Sequence, residues 1–150
     1  MRGSEELGSR RTVVSVVVFL CVSASCAPAQ SLGERDTDFD IALERSYEKP
    51  DGYLVHVTTT NTYPCAGYSI NSIVRWDGDT VSVHFLGLLR PSPCVESSDE
   101  ATGTVFVGDL AGPNVFIRFQ YRGYIDLYRL VRVKGRLKPI PIHQTFTTLR

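Results

Sequence analysis

The chain's most informative pattern is alternation. Phe39, Ile41 and Leu43 alternate with Asp40, Ala42 and Glu44, the two-residue period of a half-buried strand. Lys49-Pro50-Asp51-Gly52 reads as a turn. Beyond it, Tyr53, Val55, Val57 and Thr59 share a face, and the branched run Thr58-Thr59-Thr60 favours strand. Phe39–Glu48 and Tyr53–Thr60 are therefore expected to form a hairpin. A second hairpin is expected between Cys65 and Cys94. Its first strand carries Tyr68, Ile70, Ile73 and Val74, a phase break that predicts a bulge near Asn71-Ser72. Asp77-Gly78 supplies a tight turn, and Val81, Val83 and Phe85 point inward on the return strand.

The pattern then breaks. Pro91-Ser92-Pro93 is incompatible with a central strand, and Cys94 to Thr102 reads as a polar connection that crosses between sheets. Thr104 to Leu110 is a short strand. Val115, Ile117, Phe119 and Tyr121 alternate with Phe116, Arg118, Gln120 and Arg122, and Arg122-Gly123 turns the chain. Tyr124 to Val133 is assigned Ile125, Leu127, Val131 and Val133 inward, which leaves Arg129 as an exception and turns Tyr128 outward. Lys134-Gly135 offers a further turn before Ile140, Ile142 and Phe146. Helical period is absent outside the N-terminal region. The expectation is an all-β domain over residues 39–150, an antiparallel β-sandwich of about seven strands, immunoglobulin-like or transthyretin-like, with one disulfide. The immunoglobulin pattern is only half met, because Trp76 lies between the cysteines but beside a turn.

The N-terminal residues have the character of an export signal. Arg2, Arg10 and Arg11 precede the apolar run Thr12 to Val22, which is too short to span a bilayer comfortably. Ala27-Pro28-Ala29 offers cleavage before Gln30, giving a 1–29 signal peptide, a 30–38 linker and a soluble domain. Ser23-Ala24-Ser25-Cys26 resembles a bacterial lipobox, which would place a lipid on Cys26, although Ser23 stands where leucine is usual. Cys21 and Cys26 fall in this region, so Cys65 and Cys94 are left as the domain's pair, and an oxidising compartment favours their bridge.

Charge adds little at the level of the whole chain, which is formally neutral. The first 29 residues contain three Arg and two Glu, leaving thirteen basic against fourteen acidic residues. Nothing in that balance calls for nucleic acid. Its distribution is less even. From Arg118 onward there are eight Lys or Arg and one acid, Asp126. Arg132, Lys134, Arg136 and Lys138 share parity, so a continuing strand would line them along one outer face, suited to anionic polysaccharide, lipopolysaccharide or phospholipid headgroups. The plainer reading of the same residues is a solvated edge strand protected from aggregation.

Other candidate chemistry is sparse. Trp76, Phe116, Tyr121, Tyr124 and Tyr128 are the aromatic residues expected to face a ligand, in the manner of a carbohydrate-binding module. Leu88–Ala101 has the prolines and disulfide of a pre-organised protease-inhibitor loop. No Gly-x-Ser-x-Gly elbow occurs, and His56, His84 and His143 have no recognised metal spacing. Asp36, Asp38 and Asp40 alternate but lack the Gly and closing Glu of an EF-hand loop. The expectation is a non-enzymatic module with no cofactor or metal, exported to the envelope or beyond. Its role is read as binding or structural. The sequence names no partner; an envelope or extracellular protein or polysaccharide is compatible with it, and membrane contact is expected only through the signal peptide or a lipid on Cys26.

Overall fold

The computed structural model describes residues 37–110 and 112–150; the signal-like segment, Cys26 and Asp36 lie outside the described residues. Nine strands follow one another: β1 (Phe39–Arg45), β2 (Tyr53–Cys65), β3 (Ser69–Asp77), β4 (Thr80–Leu89), β5 (Glu96–Gly108), β6 (Val115–Tyr121), β7 (Tyr124–Val133), β8 (Arg136–His143) and β9 (Thr147–Leu149). They form one nearly closed, barrel-like sheet in the order β8-β7-β6-β4-β3-β5-β2-β1-β9. The β4–β6, β3–β5 and β1–β9 neighbours are parallel and the rest antiparallel. The all-β class and the disulfide are as expected, whereas the seven-strand antiparallel sandwich gives way to nine strands in a single mixed sheet.

Much of that difference lies in β5. Residues 96–102, expected as a crossing connection, are its first half, and Glu96, Asp99 and Glu100 pair with Cys65, Tyr63 and Thr62 of a lengthened β2. This half of β5 reaches past most of the core, so its side chains are exposed apart from the buried Ala101 and half-buried Ser97, while on β2 Tyr63 is half-buried and Cys65 buried. A strand wet on both faces needs no apolar alternation, which is why its sequence resembled a loop. The Cys65–Cys94 disulfide, with Cα atoms 5.2 Å apart, pins the end of β2 to the residues entering β5.

The interior is filled by aromatic and branched side chains. Phe39 meets Phe85 at 4.6 Å and Tyr121 at 5.0 Å between ring centroids, and Val55, Val81, Val83, Ile117 and Phe119 extend the core along the barrel. The β3–β4 register does shift between Asn71 and Ser72, but the extra residue is Leu86 of β4. β3 keeps its period, with Ile70, Ser72 and Val74 inward and Ile73 turned out, so the bulge expected in β3 lies on its partner strand. The β6–β7 and β7–β8 turns place Arg122 and Gly123, then Lys134 and Gly135, at positive φ, the twist-matched conformation of tight hairpins. Between β3 and β5 the sheet is held by one bridge, Ser69 with Thr102. Gly103 lets the strands approach closely there, since a Cβ on it would lie 3.0 Å from the Cβ of Ile70 and would push that neighbour aside.

β7 presents the opposite face to the one its apolar count predicted. Asp126, Tyr128 and Leu130 point inward and are buried, while Ile125 and Val133 stand exposed. Asp126 can be buried because the C-terminal segment encloses its carboxylate. Oδ1 accepts bonds from the Thr145 amide and hydroxyl, both at 2.7 Å. Oδ2 accepts from the Phe146 amide at 2.9 Å and from the Thr147 amide and hydroxyl at 2.7 Å. The Tyr128 hydroxyl donates to the Thr147 carbonyl at 2.7 Å. On its other side, the same segment accepts a bond from the Phe39 amide and pairs β9 with β1. The clamp thus joins β7 to β1 where no ladder does.

Burial alone would push the Asp126 carboxyl up. The Thr145 and Thr147 hydroxyls and the Phe146 and Thr147 amides outweigh it and hold the group below the ordinary carboxylate value. A depressed folded pKa means stability that is present above the unfolded value near ~4 and lost as pH falls through the folded value. Urea unfolding followed across the acid range should show that loss. Asp126→Asn should remove its own part of the pH dependence and cost on the order of 3 kcal/mol at neutral pH, since the amide cannot accept all five donors. Independently, reducing Cys65–Cys94 frees a chain separation of 29 residues. This should lower stability by roughly 3 kcal/mol on the chain-entropy estimate, read as a lower urea midpoint with reductant present.

Candidate functional site

The inverted β7 changes which side chains reach solvent. In antiparallel pairs, facing residues share a side of the sheet, so the outer surface can be followed from the register. Gln120 faces Ile125, Arg118 faces Leu127, and Phe116 faces Arg129 across β6 and β7. Across β7 and β8, Arg129 faces Ile140, Val131 faces Lys138, and Val133 faces Arg136. A register shift near Leu127 then brings His143 opposite it, with Ile142 beside the shift. Ile125, Val133, Ile140 and Ile142 on this face are between 44% and 55% exposed. Arg118, Arg129, Arg136 and Lys138 stand among them. A groove of about 440 Å³ elsewhere is formed by the β1–β2 turn over Phe106, but the larger one, near 640 Å³, lies on this face between Arg118, Tyr124, Leu127 and His143.

The expected ligand-facing residues do not all assemble. Tyr121 and Tyr128 are buried and belong to the core, a correction that follows from the phase of β7 and from the Phe39 cluster. Phe116 and Tyr124 are half-buried, Phe116 on the outer face and Tyr124 against Phe146. Trp76 is 45% exposed but sits at an end of the barrel, where its Nε1 donates to the Val107 carbonyl at 3.0 Å and ties β3 to β5. An aromatic platform for sugar rings is therefore not formed from this set. The continuous stripe of cations is also divided. The turn at Lys134-Gly135 separates its members, and Arg132, facing Leu137, takes the inner parity of β7 beyond the core. Arg136 and Lys138 remain together on the outer face. Arg118, Ile125, Leu127, Arg129, Ile140, Ile142 and His143 complete that face and were not among the expected site residues.

The outer face of β1, β2 and β5 has another character. His56 Nδ1 lies 2.9 Å from Thr104 Oγ1, and Nε2 lies 3.3 Å from Glu44 Oε2, close enough to pair but out of line for a hydrogen bond. The order Thr, His, Glu has the makings of nucleophile activation. These side chains stand on an open sheet, however, with the surrounding strand amides committed to pairing rather than aimed at a developing oxyanion. Asp40 pairs with Arg150 at 3.2 Å on the same side. His84 is half-buried between Ile73 and Gln120. Among the described residues, no group of three or more His, Cys, Asp or Glu is placed to hold a metal ion. The Leu88–Ala101 segment is mostly strand, and only residues 90–95 lie between β4 and β5.

β8 ends the sheet, and its prolines decide how that edge behaves. Pro139 faces Leu130 and Pro141 faces Tyr128. A proline can occupy a paired strand only with its nitrogen turned from the partner, so both interrupt the donors on the free edge. The chain matches no protein family, no curated protein and no solved structure in comparisons with each. Replacing Pro139 and Pro141 together by threonine should restore two edge donors beside exposed isoleucines. Light scattering with size-exclusion chromatography should then show stronger concentration-dependent association than the parent protein shows.

Proposed function

We propose that the chain is an exported, non-enzymatic binding module that acts at the cell envelope or outside the cell. It meets its ligand with the outer face of β6, β7 and β8 rather than with the interior of the barrel. The observation that carries the reading is this face itself, on which exposed Ile125, Val133, Ile140 and Ile142 stand among Arg118, Arg129, Arg136 and Lys138. Isolated apolar residues are normal on a surface, but several on one face, interspersed with charges of one sign, support an interaction site.

Export is supported by two features of different kinds. Arg2, Arg10 and Arg11 ahead of an apolar run have the form of a secretion signal. The Cys65–Cys94 bridge suits an oxidising compartment. Intact mass of the protein isolated from its native host tests the reading directly. The expected product begins at Gln30 or carries a lipid on Cys26, and gains two hydrogens on reduction. An unprocessed chain with free thiols would defeat it.

A further inference from the structure

We infer that the outer face of β6–β8 is the surface on which the folded domain lies against an anionic lipid bilayer. The inference rests on the binding-module reading and names that module's partner. It also extends membrane contact from the N-terminal region to the domain itself.

Three observations converge. The first is the absence of opposing charge within these strands. Asp126 is the only acid in β6, β7 and β8, and it is buried inside the barrel, where five donors hold it. Every charge those strands send outward is therefore positive. The second is polarity across the molecule. Glu96, Asp99 and Glu100 stand on the β2–β5 ribbon, four and five places along the sheet from β7. Asp40 and Glu44 lie on β1, Asp40 paired with Arg150 and Glu44 3.3 Å from His56 Nε2. A nearly neutral protein divided in this way is not drawn strongly to a surface by net charge, but it is turned by one. Its basic side faces the anionic layer and its acidic side faces away.

The third is the chemistry between the cations. Ile125, Val133, Ile140 and Ile142 offer branched aliphatic groups without hydrogen-bonding capacity. Sugar rings favour flat aromatic faces and polar donors, and Tyr121 and Tyr128 are unavailable for that purpose because they are buried. Aliphatic groups surrounded by Lys and Arg fit the boundary between headgroups and acyl chains, where long basic side chains lay their stems on apolar surface and keep their charges among phosphates. Pro139 and Pro141 deny the adjoining edge to an added strand, so contact falls to side chains. The half-buried Tyr124 and the exposed His143 border the same groove.

The test is co-sedimentation of the exported protein with phosphatidylcholine vesicles prepared with and without phosphatidylglycerol. Binding should favour the anionic vesicles and weaken as salt is added. Arg136→Glu with Lys138→Glu should reduce partitioning on the order of 10-fold or more. Ile140→Ser with Ile142→Ser should reduce it while leaving the thermal transition in place, and Glu100→Gln on the exposed half of β5, four places along the sheet from β7, should leave it unchanged. Equal binding to both vesicle types by parent and variants would overturn the inference. So would binding of dextran sulfate without vesicles, which would identify a polysaccharide surface. Dimerisation abolished by the isoleucine variant, again without vesicle binding, would mean that a second copy covers the face. The mass measurement judges export separately, so a protein that is exported but indifferent to lipid would overturn this inference alone.

Discussion

A single buried carboxylate holds the two sides of this nearly closed sheet together. Neither end of the sheet order pairs with the other through a ladder, and β9 is only three residues long. Asp126 and Tyr128 hold residues 145–147 to β7, while the Phe39 amide and the parallel β9 register hold the same residues to β1. A carboxylate in an apolar interior is costly unless its acceptors are satisfied, and here each oxygen has at least two donors. The same burial, together with the Asp126 charge, pushes the Tyr128 phenol up and keeps it a neutral donor. Electrostatics and topology are thus linked at one position: without the turn of residues 145–147, Asp126 would have to face water, and β7 would have to turn over.

The other weak seam is held differently. β3 and β5 share one bridge, and then Trp76 reaches across to the Val107 carbonyl. Below them, the Cys65–Cys94 bridge keeps the extended β2–β5 ribbon attached to the chain leaving β4. A closed barrel would distribute this work over continuous ladders. This one has few local ties at the seams and a dense aromatic core between them, with Phe39 touching Phe85, Tyr121 and Phe146. Phe39 begins β1 and Phe146 precedes β9, so the core itself draws both ends of the described chain together.

The sequence was readable wherever one face of a strand was dry. β1, the first part of β2, β4 and β6 alternate cleanly because their inward positions meet the core, and the expected positions Phe39, Val55, Val83 and Ile117 are buried. β5 was hidden because Glu96–Glu100 lies beyond the core and has nothing to alternate against. β7 was misread for a more instructive reason. Counting apolar residues chose the face with Ile125, Leu127, Val131 and Val133, and Arg129 then looked anomalous. That face is the outside, where Arg129 simply donates to Asn114 at 3.1 Å. The residue that needed explanation was Asp126, whose donors sit about twenty positions later in sequence and leave no periodic trace. Site residues were missed with it, since the candidate face exists only when β7 is placed in this phase.

The formal neutrality of the chain has a related cause. Charge summed along a sequence discards direction, whereas a sheet sorts its residues into two surfaces. The acid that might have neutralised the β6–β8 face is the one drawn inside to hold the sheet's two sides together, and its removal from the surface leaves Arg118, Arg129, Arg136 and Lys138 unopposed within those strands. Meanwhile, the apolar residues that would ordinarily have filled the interior of β7 are displaced outward, because Tyr128 and Leu130 already occupy it with Asp126. One inward carboxylate therefore accounts for both unusual properties of the outer face, its excess of aliphatic surface and its uniform sign. A device that holds the fold together has also composed the surface, and the two cannot be altered independently at that position.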